Sequence, residues 1–391
     1  MREWKEYNFS EFTVINPTVS LKGSEEYSFV EMKDLQDGNK FCFPNAKRKT
    51  SSGARFRERD TLFARITPCL ENGKICQVRG LENGVGFGST EFLIFRGKEN
   101  ISDNDFVFYL SRWDEVRGFA ESNFEGTSGR QRVPRNCFEN LKLELPPLPE
   151  QIAISSILSS FDDKLDLLHH QNKTLGQLAE TLFRQWFIVV ARENWEVGKL
   201  DDIVTVKGGT TPSTTVPEYW DGTVHWTTPK DLSNHNSVFL FKTERKITEA
   251  GLSKIGSGLL PIGTVLLSSR APIGYLAITQ IPVAINQGFI AILCNKKVSK
   301  YFIYLWCKAN LEEIQNSGNG SVFQEISKMT FKDLNILIPP TLILKEFDKL
   351  IVPTFQKIKN NKIQIQILTQ LRDTLLPKLM SGEVRVNLNK I

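Results

Sequence analysis

"LPPLPEQIAISSILSSFDDKL", residues Leu145 to Leu165, opens with a proline-rich hinge and runs straight into a helical pattern. "ILIPPTLILKEFDKLIVPTFQKI", Ile336 to Ile358, does nearly the same. Laying Pro146-Pro147 over Pro339-Pro340 sets Leu141 on Leu334 and Phe138 on Phe331. The match spreads outward from there. "VEMKDL" (Val30 to Leu35) falls on "TTPKDL" (Thr227 to Leu232), and "FVFYLSR" (Phe106 to Arg112) on "YFIYLWC" (Tyr301 to Cys307). "SGRQRVPRNCFENLKLELPP" falls on "SVFQEISKMTFKDLNILIPP", and Trp4 and Trp195 open the two copies. The period is far longer than that of a solenoid repeat, so the chain is a duplicated domain.

Each copy reads as a mixed globular part followed by a long helix. "EFLIFR", "GTVLLSS", "YLAIT" and "FIAIL" are short apolar strands, separated by Gly, Pro, Ser and Thr clusters. Amphipathic helical segments close each globular part, which makes the class α+β. The expected boundaries are 1–148 for the first globular domain, 149–190 for the central helix, 191–340 for the second domain and 341–391 for the C-terminal helix.

At 391 residues, two domains are expected. The chain is 40% hydrophobic and 24% charged, a globular composition, and no apolar run is long enough to cross a bilayer. The opening "MREWKEYNFSEF" lacks the apolar stretch of a signal peptide, so a cytoplasmic location is expected. A net charge of +5 permits a nucleic-acid partner without demanding one. Cys42, Cys69, Cys76, Cys137, Cys294 and Cys307 form no CxxC pair and no zinc-like array, and read as small apolar residues.

The first helix should begin at Pro149, with Glu150 at its positive end. Ile154, Leu158, Phe161, Leu165, Leu168, Asn172, Leu175, Ala179, Leu182 and Trp186 then form an uninterrupted heptad seam. The second helix offers Phe347, Ile351, Thr354, Ile358, Asn361, Ile365, Leu368, Arg372, Leu375 and Leu379; Pro353 should kink or restart it and Pro377 should end it. Asn172 falls at an a position and Asn361 at a d position, so they can meet only in an antiparallel pair. The register that joins them also joins Leu165 to Leu368, Leu168 to Ile365, Leu175 to Ile358, Leu182 to Ile351 and Trp186 to Phe347. Only Phe161 opposite Arg372 and Ala179 opposite Thr354 are imperfect. A slip of one heptad would set an asparagine against leucine, at about 1–3 kcal/mol per unpaired buried amide. An intramolecular antiparallel coiled coil with an Asn–Asn layer is therefore expected, rather than two helices each packed only on its own domain. About 33 coiled residues at 1.5 Å each make a rod roughly 50 Å long. Two like domains on such a rod are related by a pseudo-two-fold axis, the symmetry with which proteins read paired DNA half-sites. At about 3.4 Å per base pair the rod would limit their separation to roughly fifteen base pairs.

Several strings resemble the specificity subunit of Type I restriction-modification systems. "LPPLPEQ" with the long helix and "LAETLFRQWF" looks like that family's central conserved region, and "LRDTLLPKLMSGEVRV" (Leu371 to Val386) like its C-terminal counterpart. "GGTTPSTTVPEYWDGTVHWTTPKDL", "GTVLLSSRAPIGYLAI" and "NQGFIAIL" look like a common class of target recognition domain. The first domain departs more, with "LFARITPCLENGKI" where the second has "LLSSRAPIGYLAI". The resemblance covers essentially the whole chain. It implies a non-catalytic subunit whose two target recognition domains read a bipartite site in double-stranded DNA. It implies a coiled coil that sets the gap and docks two modification subunits, with restriction subunits completing the complex. S-adenosylmethionine, ATP and Mg2+ would belong to those partners; no cofactor, metal or membrane is implied for this chain.

The residues agree with that reading. No Asn/Asp-Pro-Pro-Tyr/Phe string for amino-methyl transfer is present, Asn16-Pro17-Thr18 not being one, and "LENGKI" is not a phosphate-binding loop. Asp162-Asp163-Lys164 reads as solvent-facing charge on a helix. These omissions argue against a fused methyltransferase–nuclease, and the basic segments argue against a scaffold that binds no DNA.

The candidate DNA contacts follow. "NAKRKTSSGARFRERD" reads as a mobile basic loop carrying Lys47, Arg48, Lys49, Arg55, Arg57 and Arg59, able to reach phosphates or guanine. Arg130 and Arg132 follow a glycine-rich turn, with Gln131 available for adenine; Arg135 is assigned to support of the next strand. In the second domain "KGGTTPST" offers Lys207, Thr210 and Thr211 to phosphate. Lys230 and Arg270 are expected in loops beside strands, Asn286-Gln287 is an adenine-binding amide pair, and Gln324 corresponds to Gln131. His169 and His170 fall outside the seam, and His225 and His235 lack partners at metal spacing.

Overall fold

A computed structural model of the chain describes residues 3–23, 25–127, 129–191, 195–233, 237–270, 272–320 and 324–387. Two compact units emerge: residues 1–169 with 364–391, and residues 170–363.

In the first unit the strands are β1 (Lys5–Asn8), β2 (Thr13–Ile15), β3 (Glu26–Val30), β4 (Phe41–Cys42), β5 (Ala46–Lys49), β6 (Ala54–Arg57), β7 (Thr61–Ala64), β8 (Ile75–Val78), β9 (Val85–Gly88), β10 (Phe92–Gly97) and β11 (Lys142–Leu145). Its helices are α1 (Phe9–Phe12), α2 (Asn104–Arg112), α3 (Asp114–Ser122) and the start of α4 (Leu148–Arg184). A five-stranded sheet runs β2-β10-β7-β8-β4, a four-stranded sheet β5-β3-β9-β6, and β1 pairs with β11. The central strands read as continuous apolar runs because both of their faces are covered. Alternate residues point to opposite faces. Phe63, Leu93 and Phe95 join Phe106, Phe108 and Tyr109 of α2 in one cluster, whereas Leu62 and Ile94 join Val30 and Phe56 of the second sheet in another.

The second unit repeats the plan. Its strands are β12 (Glu196–Lys199), β13 (Thr205–Gly208), β14 (Trp220–Thr227), β15 (Phe239–Leu240), β16 (Arg245–Ile247), β17 (Val265–Ser268), β18 (Leu276–Thr279), β19 (Ala284–Ile285), β20 (Phe289–Leu293) and β21 (Asn335–Ile338). Its helices are α5 (Leu200–Ile203), α6 (Lys230–Ser233), α7 (Glu249–Leu252), α8 (Lys300–Ala309), α9 (Leu311–Asn316), α10 (Lys328–Lys332) and the start of α11 (Thr341–Met380). The five-stranded sheet β13-β20-β17-β18-β15 has the topology of its counterpart strand for strand, and β12 pairs with β21 as β1 does with β11. Among the described residues the second sheet, β16-β14-β19, has no counterpart of β6.

The long helices α4 and α11 contribute to both units and pack on each other in antiparallel register. In the first unit Leu165, Leu168, Ile365 and Leu368 form one apolar cluster. In the second, the Asn361 Nδ2 donates to the Asn172 Oδ1 at 3.0 Å and to the Gln171 Oε1 at 3.2 Å. Trp186 lies 5.9 Å from Phe347, and Phe183 and Phe187, outside the heptad reading, are buried more deeply than Leu182 and Trp186. The helices thus pack on each other and on the globular part at once.

Two expectations are corrected. Asp162 is buried, not solvent-facing: the Arg372 Nη1 donates to its Oδ1 at 2.6 Å and the Tyr109 hydroxyl to its Oδ2. Arg372 is therefore matched by the residue after Phe161, and an ion pair replaces the imperfect layer. Pro377 does not end α11, which continues to Met380, and the helix also runs through Pro353. Both prolines remove a donor to the carbonyl four residues earlier; those carbonyls belong to the exposed residues Lys349 and Asp373, where solvent can replace the lost bond. The six cysteines are unpaired, with Cys42, Cys76 and Cys307 buried. Among the described residues no helix is long and apolar enough to cross a membrane.

Candidate nucleic-acid interface

The basic stretch after Asn45 is not a loop. Ala46–Lys49 and Ala54–Arg57 are the two edge strands of the four-stranded sheet. The alternation in "ARFR" explains the second: Phe56 is fully buried while Arg55 and Arg57 point outward. Gly53 permits the approach, since a Cβ there would stand 2.2 Å from the Gly88 carbonyl oxygen. Ladder pairing and Phe56 burial override the flexibility suggested by Ser51-Ser52-Gly53.

That placement sorts the cations. Lys47 pairs with Glu82 at 2.6 Å, and Arg48 pairs with Glu31 while lying 4.0 Å above the Phe29 ring. Arg59 is held by Asp105 at 2.8 Å, and Arg132 by Glu91 through bonds of 2.8–3.0 Å. Lys49, Arg55, Arg57 and Arg130 are exposed and make no ion pair among the described residues. Gln131 is clamped by its backbone: its carbonyl accepts from the Thr67 N–H at 3.0 Å and its N–H donates to the Thr67 Oγ1 at 3.0 Å. The neighbouring Arg132 bridges Ile66 and Glu125.

In the second unit Lys207 is half-buried and donates to the Ser257 carbonyl at 3.2 Å. The Thr210 hydroxyl donates to the Lys254 carbonyl at 3.3 Å, and the Thr211 hydroxyl to the Gln287 Oε1 at 2.6 Å. The Asn286 Oδ1 caps its own turn by accepting from the Gly288 N–H. Lys230 opens the short helix α6, not a loop, and pairs with Glu244 at 3.0 Å. Asp231, next in the same turn, accepts from the Thr228 N–H at 2.8 Å. Arg270 pairs with Glu325 at 3.7 Å, with the exposed Gln324 beside it. The His225 Nδ1 meets the Thr243 Oγ1 at 2.9 Å, and burial together with Lys246 lowers its pKa. His235 lies outside the described residues. Among the described residues no group of His, Cys, Asp and Glu could hold a metal ion.

The sheet registers make the units comparable residue by residue. Phe92 pairs with Ala64 as Phe289 does with Ser268, and Phe95 with Ile15 as Ile292 does with Val206. The bond from the Val133 N–H to the Arg65 carbonyl recurs from Ile326 to Ser269. Asn16 then corresponds to Lys207, Ser89-Thr90 to Asn286-Gln287, and Gln131 to Gln324. Lys207, Gln287 and Gln324, read from the second copy, thus mark one rim that exists in both. On the first unit it contains residues the sequence reading passed over: Asn16, Arg65, Thr90 and Arg135. In the second it also missed Arg245, whose guanidinium stacks 3.7 Å above the Trp220 ring. Apolar side chains also remain exposed along the long helices, among them Ile152, Leu167, Ile367 and Leu371 in the first unit and Leu178, Leu342, Leu350 and Val352 in the second.

Residues 1–177 and 192–373 match the model of the type I restriction modification DNA specificity domain. The chain is 39% identical over 201 residues to the type I restriction enzyme MjaIX specificity subunit of Methanocaldococcus jannaschii, covering 49% of this chain and 45% of that protein. It is 24% identical over 468 aligned positions to the HindI specificity subunit of Haemophilus influenzae, covering 98% of this chain and 100% of that protein. The fold is similar to that of the type I restriction-modification system S subunit from M. genitalium, with a TM-score of 0.59 at 16% identity over 96% of both chains.

Proposed function

Because the chain belongs to the type I restriction-modification DNA specificity family, we propose that it supplies the DNA specificity of such a system without catalysing either reaction. The recognition domains are residues 1–148 and 191–340; residues 149–190 and 341–391 supply the helices. Each domain reads one short half-site in double-stranded DNA. Arg55, Arg57 and Arg130 in the first serve base edges or phosphates, as do Lys207, Thr211, Gln287 and Gln324 in the second. Bidentate arginine and amide contacts discriminate among major-groove edges, and lysines position the backbone. The helices α4 and α11, which keep apolar side chains such as Ile152, Leu167, Leu350 and Ile367 exposed, receive two modification subunits. S-adenosylmethionine serves methyl transfer in those subunits; ATP and Mg2+ serve the restriction subunits.

The observation that carries this reading is one polar rim built twice on one sheet topology, with the basic edge strand Ala54–Arg57 beside it in the first unit. Methylation mapping of a host carrying the cognate modification gene, with and without this gene, tests it. One split motif, two short halves around a fixed gap, should depend on this chain. An unchanged methylome in a strain where the complex assembles would refute it.

A further inference from the structure

The first unit holds an open cleft of about 420 Å³ walled by Pro17, Val19, Phe92 and Ile94, with Arg55 and Arg135 at its edge. We infer that this cleft is the base-reading site of the first recognition domain, with Arg135 and Arg55 as its specificity-determining residues. The inference rests on the proposed function and names where on the first unit it operates.

Three observations converge. The first is charge. Lys47, Arg48, Arg59, Arg96 and Arg132 of this unit are all held by carboxylates, whereas Arg135 makes no ion pair or side-chain hydrogen bond among the described residues. Arg55 makes only a long contact of 3.5 Å to the Val19 carbonyl. Behind them the Arg65 Nε is buried with no hydrogen-bond partner. Burial, with Arg135 and Arg132 nearby, keeps Arg65 below its usual pKa although Glu91 opposes the shift. One carboxylate thus faces three guanidiniums, a surplus that an acceptor-bearing ligand would balance.

The second observation is correspondence. Asn16 and Thr90 line this cleft, and by sheet register they stand where the second unit has Lys207 and Gln287. In that unit the rim is occupied by its own side chains, the Thr211 hydroxyl donating to Gln287. In the first unit Val19 and Arg55 leave the same place open. The third is shape. A phosphate needs donors alone, whereas apolar walls beside paired donors suit a base-pair edge with its methyl or ring carbons. Asn16 adds an amide held at φ 49°, its Oδ1 accepting from the Ile94 N–H at 3.1 Å, so its Nδ2 faces outward as a further donor.

The test uses the full chain with its modification subunits. Arg135→Ala, Arg55→Ala and the conservative Arg135→Lys are each mapped for methylated motifs at single-base resolution. The expected result is relaxed base preference in one half-site only, roughly 10- to 100-fold at one position, with the other half and the gap unchanged. Arg135→Lys should relax it nearly as much, because an ammonium cannot make the bidentate contact. A uniform loss of methylation with the motif intact, restored by Arg135→Lys or by lower salt, would make these phosphate contacts and overturn base reading. An unaltered motif at wild-type level would overturn the site itself. If wild-type protein yields no split motif, the proposed function fails instead. A melt of each variant separates misfolding from misreading.

Discussion

The two units share a topology but fill equivalent positions with opposite chemistry. Aligned on the proline hinges, Asp162 of α4 corresponds to Phe355 of α11, and Arg372 of α11 to Ala179 of α4. In the first unit these positions hold a buried ion pair within a polar network: Arg372 also donates to the Gly38 carbonyl at 2.7 Å, and buried Lys40 donates to the Ser159 hydroxyl at 2.7 Å. In the second, Phe355 stacks 4.6 Å from Tyr301 and lies 5.8 Å from Tyr304, with Ala179 fully buried in the same core. One backbone arrangement therefore tolerates either solution. A buried ion pair is seldom more stabilising than a well-packed apolar replacement, but separating its members is severe. The pair acts through what it forbids. Arg372 cannot be seated against an aromatic core without a stranded charge, so each segment of helix has one acceptable partner although the chain is written twice.

The largest predicted effect breaks this asymmetry. Arg372→Ala should destabilise the first unit by about 3–5 kcal/mol by stranding the Asp162 carboxylate. Phe355→Ala should lower the second unit by a similar 3–5 kcal/mol through an unfilled cavity. Hydrogen exchange resolved by peptide assigns each loss to its unit. Combining Asp162→Phe with Arg372→Ala imports the second unit's solution and should recover most of the first loss. A double variant no better than Arg372→Ala would mean that Lys40 and Tyr109 require the carboxylate, and that the positions are not interchangeable.

A smaller effect concerns a contact conserved with its ends exchanged. Asp103 caps α2, accepting from the Phe106 N–H at 2.9 Å, and accepts from the Ser155 hydroxyl of α4 at 2.9 Å. Ser299 caps α8, accepting from the Phe302 N–H at 3.2 Å, and donates to Asp348 of α11 at 2.6 Å. Loss of either cap, by Asp103→Ala or Ser299→Ala, should lower the melting free energy by about 0.5–2 kcal/mol. The exchange Asp103→Ser with Ser155→Asp should restore it. Failure to restore would show that the environments of the two caps, and not only the bond, have diverged.

Much of this was legible. Hinge, duplication and heptad seam sufficed to place Asn172 against Asn361, because a buried amide admits few registers. What periodicity could not carry was any residue satisfied by a partner distant in sequence. Asp162 reads as surface charge until Arg372 lies beside it, and Arg135 reads as strand support until three other segments meet it at a cleft. The strand Ala54–Arg57 was hidden by its charge, although its alternation was in plain view. Asn361 offers a sharper measure, since its buried Oδ1 has no hydrogen-bond partner among the described residues. Asn361→Leu should therefore change stability by no more than about 1 kcal/mol, because relief of that oxygen offsets the lost amide pair and the half-buried Asn172 and Gln171 can turn to solvent. A larger loss in thermal melts would show the Asn layer to be a net stabiliser as well as a register mark.

The smallest effect should have opposite signs in the two units. Burial alone would raise the Asp105 carboxyl, but Lys40 and Arg59 overcome this and hold it below the ordinary value. Its contribution is present above the unfolded carboxylate pKa and is lost as pH falls through the folded one. Burial raises Asp348, with the Ser299 bond only partly compensating. Between the ordinary carboxylate value and the raised one, the folded state binds more protons than the unfolded state, so stability falls as pH rises through that window. Acidification through the raised value toward the ordinary carboxylate value, about 4, should therefore ease the Asp348 penalty in the second unit, before deeper acid removes the Asp105 contribution in the first. Equilibrating at each pH and pulse-labelling at one common pH separates these limbs by peptide. Asp348→Asn should flatten the second-unit limb and leave the first untouched. A limb that survives the substitution would assign the second-unit titration to another carboxylate.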